Sequence, residues 1–305
     1  MPDYASLCDA ETWAFIRRTE SFYPPDTASR SIADQRAVYD AMCAAFHRAR
    51  PAGVTTLDRS FGGAPCRVYS RGEAALTVLY LHGGGFVVGG LESHDDVCAE
   101  ICAATGLRVV SVDYRLAPEH VHPAAFEDAL AAARAVAAEV GALILAGDSA
   151  GGSLAASVAH AARGELDLRG VVLVYPELGG DPDRGSYLTH AEAPMLSRED
   201  VLFYARTRHG GEPPVADPTA EVLKDSDFSG LPPTFIVTAE CDPLSDDGRE
   251  YRDRIVAAGG VARWIQEPGL VHGYLRARHD VGRARESFAR IVAAISDMAK
   301  GDFHA

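Results

Sequence analysis

The chain is short of positive charge. Its 29 Lys and Arg residues stand against 43 Asp and Glu, for a formal net charge of -14. A surface that acidic is repelled by nucleic acid and by anionic membranes, so neither is expected as a partner. No run approaches the roughly 18 consecutive apolar residues of a membrane span. The six cysteines (Cys8, Cys43, Cys66, Cys98, Cys102 and Cys241) include no CxxC pair, and Cys98 and Cys102 lie four apart on an expected helix, which is core spacing. Met1-Pro2-Asp3-Tyr4 has neither a basic n-region nor an apolar h-region, so no secretory signal is expected. Together these absences predict a reduced, soluble, cytoplasmic protein. Repeats and long low-complexity tracts are missing too. What is present is an ordinary globular composition: 305 residues, 47% hydrophobic and 24% charged. That length suits one large α/β domain with an insertion, or two smaller domains.

From Leu76 onward, short apolar runs alternate with longer helical ones. Strands are expected at Leu76–Leu81, Leu107–Val112, Leu143–Ala146, Val171–Tyr175, Thr234–Ala239 and Val261–Ile265. Helices are expected at Asp95–Ala104, Phe126–Val140, Ala150–Arg163, Ser245–Ala258 and Val281–Met298. Several strands are unbroken Val, Leu and Ile runs, which fits a mostly parallel sheet covered by helices on both faces. Two regions break the rhythm. In residues 1–50, Tyr39, Met42, Cys43 and Phe46 recur at helical spacing, and Pro24-Pro25 splits the region into two helical pieces. Residues 176–233 are rich in Pro, Gly and Asp, with a helical patch from Leu196 to Tyr204. Both regions are expected to cover the carboxyl ends of the strands as a cap. The core is then residues 51–175 and 234–305.

The chemistry concentrates at Gly147-Asp148-Ser149-Ala150-Gly151-Gly152. Leu143-Ile144-Leu145-Ala146 runs straight into it and Ala-rich helical sequence follows. This is a G-x-S-x-G turn between a strand and a helix, the setting of a nucleophile elbow. A serine hydroxyl is a poor nucleophile until an oriented base takes its proton. The expected order after the serine is an acid, then a histidine. Asp242 follows the strand Thr234–Ala239, and His272 follows the strand Val261–Ile265 in Leu270-Val271-His272-Gly273-Tyr274. Both fall in loops at the carboxyl ends of strands, where ligands bind open α/β sheets. The competing acids read as structural. Asp246 and Asp247 sit in a first helical turn, where they favour the helix dipole, and Glu267 reads as solvated. Rival histidines read as solvated or local, His94 and His279 near helix starts and His47, His160 and His209 on helical or polar stretches.

Leu81-His82-Gly83-Gly84-Gly85-Phe86 has the form of an oxyanion loop. Attack on a carbonyl puts negative charge on oxygen, and preorganised N–H donors stabilise it by about 3 kcal/mol each. Gly83 and Gly84 are the expected donors, with the N–H of Ala150, while His82 braces the loop. A phosphate loop is excluded: there is no G-x-x-x-x-G-K, and Val88 stands where a dinucleotide loop needs glycine. Glu119-His120-Val121-His122 lacks the i, i+4 histidine spacing and the third ligand of a zinc site, so no metal is expected.

These blocks, with Asp113-Tyr114-Arg115-Leu116-Ala117-Pro118-Glu119 and Ser229-Gly230-Leu231-Pro232-Pro233, resemble the hormone-sensitive-lipase-like (bacterial family IV) esterases of the α/β-hydrolase fold. Asp148 in the elbow resembles the GDSAG branch. The resemblance runs from about residue 55 to the end. It implies an α/β-hydrolase fold with a mostly parallel eight-stranded sheet, a helical cap, and hydrolysis of short- to medium-chain acyl esters without metal or organic cofactor. It places the triad on Ser149, Asp242 and His272, and the oxyanion hole on Gly83, Gly84 and Ala150. The expected partner is a small-molecule ester, and the resemblance admits a homodimer. Tyr274 and Val121-His122 depart from the family's commoner Phe and Pro-Phe. Amide, aryl-formamide or lactone hydrolysis on the same residues stays open. A non-catalytic ligand receptor on the same fold is disfavoured because His272 is present.

Overall fold

The computed structural model describes residues 2–74 and 76–304. Eight strands form one sheet: β1 (Thr55–Phe61), β2 (Ala64–Ser70), β3 (Thr77–Leu81), β4 (Arg108–Val112), β5 (Ala142–Asp148), β6 (Asp167–Val174), β7 (Thr234–Cys241) and β8 (Ala262–Val271). Their order is β1-β2-β4-β3-β5-β6-β7-β8. The pairs β1–β2 and β2–β4 are antiparallel, and all others are parallel. The six strands expected from apolar runs are the six parallel ones.

The two antiparallel strands carry no apolar run. Most of β1 is exposed, including Asp58 and Arg59, and β2 contains Pro65 and Arg67. An edge hairpin needs only one buried face. Its signal was the turn, Gly62-Gly63, both at positive φ (59° and 94°) as a two-residue hairpin requires.

Helices α1 (Tyr4–Leu7), α2 (Ala10–Glu20) and α3 (Ile32–Phe46) precede the sheet. The buried face of α3 is Tyr39, Met42, Cys43 and Phe46, the stripe seen in the sequence. Helices α4 (Asp95–Thr105), α5 (Ala124–Val140) and α6 (Ala150–Ala161) follow strands β3, β4 and β5. Between β6 and β7 lie α7 (Gly185–Thr189) and α8 (Arg198–His209), and α9 (Ser245–Ala257) and α10 (Gly282–Lys300) complete the chain. Ser197 and Asp200 close a capping box at the start of α8, and Gly210 at φ 66° ends it.

Alternation along the strands feeds two cores. Val78 and Tyr80 face the side covered by α3, α4 and α10, where Met42, Ile101 and Ile295 pack. Leu79 and Leu81 face the side covered by α5, α6 and α9, where Val136, Leu154 and Ile255 pack. Burying a side chain of this size contributes about 1.5–3 kcal/mol. The two filled faces fix the carboxyl ends of β5, β7 and β8, from which the site is built. No helix among the described residues is long and apolar enough to cross a membrane.

Candidate active site

Ser149 stands between β5 and α6 at φ 52° and ψ -123°, backbone that a non-glycine residue rarely adopts. Holding it there costs of order 1–3 kcal/mol, so the surroundings must enforce it. They do so by close approach. A Cβ on Gly147 would lie 2.3 Å from the Gly151 carbonyl oxygen, and one on Gly151 would lie 2.0 Å from the Leu81 carbonyl oxygen. The Ser149 N–H donates to the Val174 carbonyl at 2.8 Å. The turn lifts the hydroxyl clear of the sheet.

The structure brings Ser149, His272 and Asp242 together. Ser149 Oγ lies 2.8 Å from His272 Nε2, and His272 Nδ1 lies 2.7 Å from Asp242 Oδ2. Asp242 is fully buried, and its Oδ1 accepts the Leu244 N–H at 2.9 Å. The competing acids are engaged elsewhere. Asp246 accepts the Ser186 N–H and pairs with Arg249. Asp247 accepts from Leu178 N, Gly180 N and Tyr187 OH. Glu267 is buried and paired with Arg290, not solvated as the sequence suggested: its place next to Pro268 hid the partner arriving from α10.

The glycine loop does not present its three residues alike. The Gly83 N–H is already taken, donating to Asp148 Oδ1 at 3.1 Å. A Cβ on Gly83 would lie 2.4 Å from Asp148 Oδ2, so Gly83 is packed on that carboxylate and does not line the pocket. Gly84 and Gly85, at φ 133° and 58°, do line it together with Ala150. Among the described residues, neither the Gly84 nor the Gly85 N–H has a hydrogen-bond partner. The Ala150 N–H, in the first turn of α6, has no intrahelical acceptor.

Sequence reasoning treated Asp148 as a family marker, yet it organises this loop. Besides Gly83 it accepts Tyr80 OH at 2.8 Å and faces His94 Nε2 at 3.2 Å. Burial alone would push this carboxyl up. His94 beside it, with the Tyr80 hydrogen bond, outweighs burial and holds it far below the usual carboxylate range. His94 sits at the start of α4 as expected, but it is buried against Asp148 rather than solvated or local. His82 is buried and stacked on Tyr114 at 4.2 Å, and the Tyr114 hydroxyl donates to the His82 carbonyl at 2.6 Å. Burial and the neighbouring His94 push His82 down to about 4, so it braces the loop as a neutral ring.

Ser149 opens into a cavity of about 400 Å³. The N-terminal helices supply Tyr39 and Met42, and the 176–233 segment supplies Leu196, Val201 and Tyr204. Tyr23 and Tyr204 also reach this pocket, while Phe15 is core against Phe46. Arg208, Glu177 and Glu221 also line it, and no motif pointed to them. His122 lies 3.1 Å from both Asp217 and Thr219. Among the described residues, no group of three or more His, Cys, Asp or Glu is placed to hold a metal ion.

Residues 78–276 match a protein family described as alpha/beta hydrolase fold. The chain is similar to Carboxylesterase NlhH of Mycobacterium tuberculosis, 42% identical over 235 residues that cover 72% of each chain. It is similar to an ethyl acetate hydrolase of Pseudomonas putida, 32% identical over 73% of each. Its fold matches an esterase from the bacterial hormone-sensitive lipase family with a TM-score of 0.86 and 28% identity, covering 95% of this chain and 99% of that one. The chain belongs to the hormone-sensitive-lipase-like esterases of the α/β-hydrolase fold. It is a carboxylic ester hydrolase.

Proposed function

We propose that this esterase works through an acyl-enzyme on Ser149. His272 takes the serine proton as Oγ attacks the ester carbonyl. Asp242 holds the imidazole tautomer and stabilises the imidazolium. The N–H groups of Gly84, Gly85 and Ala150 receive the oxyanion. His272 then protonates the departing alcohol, and water repeats the cycle on the acyl-enzyme. The observation that carries this reading is the unbroken chain Ser149 Oγ–His272–Asp242, at 2.8 and 2.7 Å. The donor assignment rests on Gly83 being bound to Asp148 while the next two glycines border the pocket.

The pocket size and the ethyl acetate hydrolase among the relatives support short- to medium-chain acyl esters. Residues 1–50 and 176–233 act as a cap, because both supply walls above Ser149. Six free, buried cysteines fit a reduced, cytoplasmic setting. The test is a p-nitrophenyl ester series from acetyl to palmitoyl, on wild type and Ser149→Ala. Activity peaking at short chains and lost in the variant supports the proposal. Wild-type turnover in Ser149→Ala, or a faster amide than any ester, contradicts it.

A further inference from the structure

The far wall of the pocket holds a charge that the reaction does not use. Arg208 is 4% exposed and lines the same cavity as Ser149. Its guanidinium lies over the Phe86 ring at 3.8 Å, and Nη1 donates to the Ala220 carbonyl at 3.0 Å. The nearest carboxylate oxygen, Glu177 Oε2, stands off at 3.8 Å from Nη1. Among the described residues, Nε and Nη2 have no hydrogen-bond partner.

Those two nitrogens form the side-on fork with which arginine grips a carboxylate. Elsewhere in this protein the same fork is filled. Arg50 holds Asp95 through it at 2.8 Å on both nitrogens, and Arg134 holds Glu165 at 2.7 and 2.8 Å. Arg208 is more deeply buried than either and keeps its charge, since arginine stays protonated in proteins. Glu177, Glu221 and Asp217 stand near it, yet burial still outweighs them and pushes the guanidinium down, so an anion seated in the open fork relieves that cost. Glu177 faces Nη1 and does not reach the fork. Burial, with the neighbouring Glu221, pushes its carboxyl up and favours a protonated acid that can itself donate.

We propose that Arg208, with Glu177 beside it, forms a subsite for a carboxylate carried by the ester substrate, as in hemiesters of dicarboxylic acids. This rests on the esterase reading above. Distance from the reacting centre suits a short methylene spacer. Tyr204, one turn before Arg208 on α8, packs on Gly85, and the Arg208 guanidinium itself covers Phe86, the residue after Gly85. Docking requires the side chains in front of the fork to shift, since both nitrogens are covered.

The experiment compares charged esters with neutral ones of the same shape. Monoethyl adipate is paired with ethyl 6-methylheptanoate for an acyl-side carboxylate. The 4-acetoxybutanoate anion is paired with 4-methylpentyl acetate for an alcohol-side one. Wild type is expected to favour one charged member at least tenfold in kcat/KM, with the gain in KM. Arg208→Met should lower that ratio at least tenfold, and Arg208→Lys should restore part of it. Preference for the neutral member in both pairs overturns the proposal. So does an equal ratio in Arg208→Met, or preference for 2-(dimethylamino)ethyl acetate over its neutral isostere. The wild-type ratios decide even where a variant fails to fold. If wild type cleaves none of these esters or the p-nitrophenyl series, the esterase reading itself has failed.

Discussion

Asp148 and Asp247 are both buried, with four and three polar neighbours within hydrogen-bond range. They titrate in opposite directions. Burial raises both. At Asp148 the adjacent His94, the Tyr80 hydroxyl and the more distant Arg276 reverse it. At Asp247 hydrogen bonds from Leu178, Gly180 and Tyr187 only moderate it, Glu250 adds to it, and the carboxyl is pushed up to about 7. Hydrogen bonds alone only moderate burial at Asp247, whereas at Asp148 the electrostatics of His94 and Arg276 act with them. The floor beneath Ser149 holds its carboxylate among fixed partners before any substrate arrives. The wall formed by Glu177, Glu221 and Arg208 leaves the arginine fork unfilled, and Asp247 lies behind it, bonded to Leu178 and Gly180. A preorganised floor suits catalysis, and an unmatched wall suits recognition.

The largest effect tests the matched end. Ser149→Ala should lower kcat by at least about 10⁴-fold with the fold intact, since triad members act as a unit. Steady-state kinetics with p-nitrophenyl butyrate measures it. Next comes the loop. An alanine Cβ at Gly85 would lie 2.4 Å from the Tyr204 ring, on backbone at φ 58°. Gly85→Ala should therefore cost about 10²-fold or more in kcat, comparable to losing one oxyanion donor.

The two aspartates supply the sharper pair. Asp148→Asn should destabilise by about 3 kcal/mol near neutrality, because it leaves a buried partner unmatched. The folded pKa of Asp148 is depressed, so its contribution is complete above the ordinary aspartate range and is lost as pH falls below it. The penalty in urea unfolding should shrink from pH 7 to pH 3.

Asp247 runs the other way and gives the smallest signal. Its folded pKa is raised, so its contribution is complete below the unfolded value and is lost as pH rises to about 7. Wild type should lose stability relative to Asp247→Asn by about 1 kcal/mol per pH unit between roughly pH 4 and 7. Parallel slopes for the two variants would break the comparison.

Much of this was legible in the sequence, for identifiable reasons. The six parallel strands were visible because both of their faces are buried and their apolar runs are continuous. Ser149, Asp242 and His272 were visible because each sits in a loop just past a strand. The β1–β2 hairpin was hidden by its exposed face and betrayed only by Gly62-Gly63. That Gly83 packs on Asp148 while Gly84 and Gly85 border the pocket was hidden, because three adjacent glycines look alike until Asp148 claims the first N–H. Asp148 lay within the elbow motif, but its partners Tyr80 and His94 come from β3 and the turn before α4. Arg208 was illegible altogether. Nothing in Arg206-Thr207-Arg208 distinguishes the buried arginine from an exposed one, and only the packing of α8 over Phe86 does so.

The most direct test of the central claim is covalent. A fluorophosphonate added to the purified protein should attach once per chain, on the peptide carrying Ser149, read by intact mass and peptide mapping. Labelling should disappear in Ser149→Ala. A label on another residue, or one that persists in Ser149→Ala, would contradict the account.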